Sequence, residues 1–401
     1  MLGGSSGINF MAYGRPSTED LDDWSTSLNL PGWSWDEVLP YYLKAEKLHS
    51  PSKLQTDDHS SLCPLLDKFH GTEGAIHTSL SPYQVPVEAF LLPAFDATAK
   101  IHRPTDPWGG KHLGFYRSLF SVNRAGLPTR SYSGNGYLAP VMQRSNLKVL
   151  TSAIASKVQM DTINLSAQGV EFICEGATHT VSARKEVILS CGTIESPKLL
   201  ELSGIGDPEI LKAAGLSCII PLSDVGMNFQ EKPVSAVVYE LAPGNMSVDS
   251  LFMDPALFKH HQKLYKEKHD GALAGAISLM GFFPYSSQVS EAELNKTISS
   301  ISSPPQSKHT NKDYPFQVKQ RHRIISHLLD PTSADIQCVG IPTNFSIDSA
   351  YENCSKLSPG PPPSCNACYS IMFSLMYPVS RGSVHIQSSD PLAPPVVDFG
   401  F

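Results

Sequence analysis

Residues 3–9 read Gly-Gly-Ser-Ser-Gly-Ile-Asn, inside a longer stretch from Leu2 to Pro16. The adjacent glycines carry no Cβ, so another body can approach the backbone closely. Ser5, Ser6 and Asn9 add short-range donors and acceptors. These residue types suit a main-chain cradle for a flat, polar ligand. The competing reading is a flexible N-terminus, where disorder collects.

Other residues could carry chemistry. Cys365-Asn-Ala-Cys368, with Cys354 upstream, suits a local bridge, free thiols or a metal pair. One such pair without a second pair or a His-x-His partner argues against zinc. His260 and His261 sit in a run with Lys259, Lys263, Lys266, Lys268 and His269, which reads as a solvated helix face and not a metal site. His385 alternates along an apolar strand and reads as a structural, hydrogen-bonded histidine. Arg130 is either a buried hub offering five donors or a surface charge.

The 401 residues are enough for a large core in two domains. Composition is that of an ordinary globular protein, 41% hydrophobic and 17% charged. The net charge of -7 excludes nucleic acid as an expected partner. No apolar run is long enough to span a bilayer, so no membrane partner is expected. Met1 leads straight into Leu-Gly-Gly, so no signal peptide is read. Sequons at Asn164, Asn245, Asn295, Asn344 and Asn353 would suit a secreted ancestor, and localisation stays open.

Elements must position these residues. Ser17-Thr18-Glu19-Asp20 and Ser34-Trp35-Asp36-Glu37 read as helix starts. Val38, Tyr41, Tyr42 and Ala45 then fall on one helix face, with Pro40 early enough to be tolerated. Residues 50–75 read as a polar loop, and 86–101 carry a weak helical pattern. From Leu147 to Ser190 the chain reads as β, with candidate strands at Leu147–Thr151, Ala155–Met160, Gly169–Ile173, His179–Ala183 and Glu186–Ser190. Ser196 and Pro197 look like an N-cap and first helical residue, and Gly204 like a stop. Asp207 and Pro208 start a second helix that Gly215 closes.

Two of these stretches carry a resemblance. Gly3–Asn9 resembles the first signature of the glucose-methanol-choline (GMC) flavoprotein oxidoreductases, and Gly192–Gly206 resembles the second. Arg130-Ser131 with Tyr137-Leu138-Ala139-Pro140, and Pro378-Val379-Ser380-Arg381-Gly382, are similar to further segments of that family. The likeness extends over essentially the whole chain and is weakest from Asp249 to Asp335. At Glu231-Lys232 the chain departs from the family's Asp-His pair.

The resemblance implies an α+β fold. It divides the chain into FAD-binding segments at 1–75 and 146–235 and antiparallel substrate-domain segments at 76–145 and 236–401. It implies FAD as cofactor, held through Ser5, Asn9, Phe10 and Ala12 along the flavin and through the Ala155 backbone at the adenine. It implies oxidation of a small-molecule alcohol substrate by hydride transfer to flavin, nearest the fungal aryl-alcohol-oxidase and secondary-metabolite branch. It also implies that the family's Gly-x-Gly-x-x-Gly unit and its His-Pro segment with the catalytic base fall outside this chain. No catalytic residue is then expected here, and the parallel sheet would leave apolar faces exposed. The alternative is a non-redox cyclase, lyase or binding protein built on the same scaffold.

Overall fold

In the computed structural model, residues 1–49, 65–102, 104–275, 279–303 and 315–401 are described. Of the polar loop expected over 50–75, residues 50–64 lie outside them. Two compact units divide the chain: Met1–Pro140 with Lys232–Tyr377, and Val141–Glu231 with Pro378–Phe401. Helices and mainly antiparallel sheets are both present, an α+β composition.

The first unit is built on a five-stranded antiparallel sheet. Its order is Val234–Glu240, Cys368–Leu375, Ile336–Ile341, Leu279–Phe283 and Gly114–Arg117. The helix Glu88–Ala99 seals one side of the core, where Leu92, Phe115, Leu279, Cys338 and Tyr369 pack together. A four-stranded sheet follows, in the order Ala12–Tyr13, Leu119–Phe120, Ile76–Leu80 and Glu46–Leu48. The helices Thr18–Ser27 and Trp35–Ala45 both start with capping boxes, Ser17 with Asp20 and Ser34 with Glu37. Pro40 lies inside the second without ending it. The Lys/His-rich helix Pro255–Lys268 does expose Lys259, His260, Lys263, Lys266 and Lys268. His261 departs from that pattern: it is buried, and its Nδ1 accepts the Ala272 N–H at 3.1 Å.

The second unit holds a three-stranded meander, Ala153–Asp161, Ser166–Cys174 and Ala177–Ser182. It packs on the helix Gly192–Leu202, and Ser203 Oγ joins the two by accepting the Val158 N–H at 2.8 Å. Two expected strands, 147–151 and 186–190, are not strands. Among the described residues neither has a ladder partner, and a strand exists only through such pairing. Within the apolar run, Val187 and Leu189 are half-buried while Ile188 between them stands 76% exposed. The helix after it begins at Gly192 with Cys191 as N-cap, so Ser196 and Pro197 are interior. Pro197 removes one helical donor, and the surrounding turns carry the helix past it. Gly204 ends it at φ 79°. Asp207, Pro208 and Gly215 act as expected around Pro208–Ala213.

Candidate functional site

The cradle is a short helical turn, Gly4–Gly7, with Ile8 and Asn9 N–H groups both donating to Ser5 O. Its two glycines serve different ends. Gly3 has φ 91°, and a Cβ there would come within 2.6 Å of the Tyr132 ring. Gly4 has φ 54° and would meet nothing within 4 Å. Gly3 therefore answers to the chain's own packing, and Gly4 leaves its side open for another body.

Residues 130–135 hold the turn. Ser6 Oγ donates to Gly3 O at 2.5 Å and lies 3.0 Å from Ser133 Oγ, which bonds the same carbonyl. Arg130 Nη1 donates to Asn9 O and Asn9 Oδ1, both at 2.8 Å, and to Ser6 O at 3.3 Å. Asn135 braces this side, accepting the Tyr132 N–H and donating to Arg130 O. Arg130 is a hydrogen-bonding hub, as one reading had it, but it is half-buried and not buried. Asn9 Oδ1 also accepts the Met11 N–H at 3.0 Å, an Asx-type turn that stabilises Met11 at φ 63°.

The expected contact residues separate into two sets. Ser5, Asn9, Phe10 and Ala12 come together on this loop, and all four are exposed, Phe10 at 69%. Ala155 belongs to the other compact unit, exposed on the first meander strand opposite Phe172.

Directly behind the loop lies a buried charge node that the sequence reading missed. Arg15 Nη2 meets Glu46 Oε2 at 2.8 Å with both side chains fully buried. Arg15 Nη1 donates to Phe69 O and Trp108 O, while Trp108 Nε1 donates to Tyr13 O. Glu46 also accepts from Thr78 Oγ1 at 2.8 Å and the Gly71 N–H at 3.1 Å. His70 lies between Glu46 and Asp106, at 3.1 and 3.3 Å. Burial alone would lower its pKa, but the hydrogen bonds and charges of Asp106 and Glu46 prevail and raise it.

In the second unit Glu201 is fully buried. Its oxygens take His385 Nδ1 at 2.7 Å and the Ile386 N–H at 2.8 Å. His385 is thus a structural histidine, as its position on a strand suggested. Asn228 adopts φ 61°, and its Oδ1 is buried without a partner among the described residues.

A polar cavity of about 340 Å³ is lined by residues including Asp22, Asp23, Lys111, Arg323, His327 and Asp330. His327 has both ring nitrogens engaged, Nε2 with Asp23 at 3.1 Å and Nδ1 with Ser333 at 3.1 Å, and it stacks on Tyr377. Burial lowers its pKa against the pull of nearby carboxylates. With both nitrogens committed, this imidazole is a strut and not a base open to a substrate. Among the described residues no cluster could hold a metal ion, and no helix is long and apolar enough to cross a membrane.

Comparison with known proteins fits this geometry. A family profile described as GMC oxidoreductase matches residues 1–234. The chain is 49% identical over 406 residues to dehydrogenase mpl7 of Monascus purpureus, covering all of this chain and 64% of that protein. An FAD-dependent oxidoreductase from Chaetomium thermophilum superposes with TM-score 0.81 at 25% identity, over 98% of this chain and 64% of that one. A fungal aryl-alcohol oxidase superposes with TM-score 0.78 at 23% identity, over 99% and 65% of the two chains, a likeness of fold. The chain therefore spans just under two thirds of the length of the curated relatives it matches.

Proposed function

The chain belongs to the GMC oxidoreductase family, and from that premise we propose that it serves an FAD-dependent oxidation of the CH–OH group of a small organic alcohol. The observation that carries this reading is the asymmetry of the first signature. Its back is fixed by Arg130, Ser6 and Ser133, while Gly4, Ser5, Asn9, Phe10 and Ala12 are open to solvent.

The residues present fit a flat tricyclic group. The open side at Gly4 admits a ring against main chain, and exposed Phe10 and Ile8 offer apolar surface that a ligand would cover. Ser5 and the Asn9 amide nitrogen, which has no partner among the described residues, supply donors for its polar edge. Ala155, exposed on the first meander strand, remains the residue proposed for the adenine contact. When bound, FAD supplies the acceptor for the hydride that leaves the alcohol carbon. The chain's own part is to keep the loop rigid, so that its donors need no reordering when the cofactor arrives. Arg130 does this by tying Ser6 and Asn9 together.

The likeness to a fungal aryl-alcohol oxidase supports a benzylic or similarly activated primary alcohol over a sugar as the substrate we propose. The test is reconstitution of the purified full chain with FAD, followed by its absorption and flavin fluorescence. Retained blue absorption after desalting, bleached anaerobically by a benzylic alcohol, is the expected result. A colourless protein with unchanged flavin fluorescence would sink the proposal.

A further inference from the structure

The four-stranded sheet has a second face. Along Glu46–Leu48 and Ile76–Leu80, alternation puts Glu46 and Thr78 on the side of the buried node. Lys47, His77 and Ser79 fall on the other side, with Lys47 paired opposite His77. His49 continues the ladder, its N–H bonding Thr78 O at 2.8 Å, so it shares the face of Lys47. Arg124 reaches the same face, Nε donating to Ser79 Oγ at 3.1 Å. The His49 and His77 rings stack 4.9 Å apart and are hydrogen-bonded, Nε2 to Nδ1, at 2.7 Å. Such a pair shares one proton, since one nitrogen must donate and the other accept.

Among the described residues the charge on this face is one-sided. The groups acting on His49 are His77, Lys47 and Arg124, and those acting on His77 are Lys47 and the neutral Asn123. Asp270 is the one carboxylate that acts on Arg124. Lys47 has no ion pair among the described residues. All four basic side chains are half-buried, so solvent only partly screens their mutual repulsion.

We propose that Lys47, His49, His77 and Arg124 form a binding site for a small oxyanion, a tetrahedral phosphoryl-like group or a carboxylate. The anion provides a counter-charge that the described residues leave out. Arg124 and Lys47 contribute fixed charge. The imidazole pair exchanges its internal hydrogen bond for a second proton, so that both rings donate to the anion. Binding therefore tightens as pH falls, with Asp270 the opposing charge.

The test is calorimetric titration of the full chain with sulfate and, separately, acetate, whose charges are constant between pH 6 and 8, at ionic strength fixed with chloride. Saturable binding is expected, about tenfold tighter at pH 6 than at pH 8. It should weaken about fivefold in Lys47→Ala or Arg124→Ala, and lose its pH dependence in His77→Gln. Preference for sulfate assigns the site to tetrahedral anions, and preference for acetate assigns it to carboxylates. Should a variant fail to fold, imidazole ¹⁵N shifts of His49 and His77 on adding sulfate to the unaltered chain give the same answer. No saturable binding, binding indifferent to these variants, or imidazole shifts that stay put would overturn the site.

Discussion

Residues 3–9, the first signature, and residues 186–190, which lead into the second, are held in different ways. Residues 3–9 are fixed by bonds from a neighbouring loop of the same unit, residues 130–135, so the cradle is complete in itself. Residues 186–190 carry a strand's apolar run but have no ladder partner among the described residues, and they stay irregular with Ile188 exposed. A loop can be specified by a few polar contacts. A strand is specified by its neighbours, and its own sequence supplies only half of the pair.

The comparison can be broken most forcefully at Glu46. Glu46→Ala leaves Arg15 charged and unpaired in the core, and thermal denaturation should show a loss of about 3–5 kcal/mol. A loss under about 1 kcal/mol would mean the node does not anchor the cradle. Next come the glycines. Gly3→Ala combines a left-handed backbone with an overpacked Tyr132 and should cost about 2–4 kcal/mol. Gly4→Ala should cost only about 1 kcal/mol in stability while weakening FAD retention, measured by flavin fluorescence. Equal effects on stability would erase the distinction between them.

Arg130→Ala should cost about 1–3 kcal/mol, visible as faster hydrogen exchange at the Ile8 and Asn9 amides. A smaller effect is expected from pH. His70 has its pKa raised in the folded state, so its contribution is fully present below about pH 6.5 and is lost as pH rises through the folded value. Melting temperature should therefore fall on the alkaline side, and His70→Gln should flatten that slope; an unchanged slope would remove His70 from the account. Least of all, Ile188→Thr should change stability by no more than about 0.5 kcal/mol, because the side chain is largely exposed. A marked loss in a melting curve would show that 186–190 is held after all.

Local chemistry was readable in the sequence. The helix starts at Ser17, Ser34 and Asp207, the stop at Gly204 and the meander all follow from nearest-neighbour rules. The reading failed where distant residues decide. Ser196-Pro197 has the composition of a helix start, but the helix had already begun at Gly192. Arg15, Glu46, His70 and Asp106 lie far apart in sequence, and nothing local announces that they share one buried site. The cradle itself was legible as a motif. Which of its glycines faces outward depended on Tyr132, more than a hundred positions away.

The clasp at Glu201 bears on how the second unit is made. Its carboxylate bonds residues 184 and 185 positions downstream, and that unit is assembled from 141–231 and 378–401. On a ribosome moving at about 5–20 residues per second, this acid waits on the order of ten seconds for its imidazole to emerge. During that interval the nascent meander and its helix stand ready while their closing segment is still being synthesised. The second unit therefore cannot close until its last segment, residues 378–401, has been made.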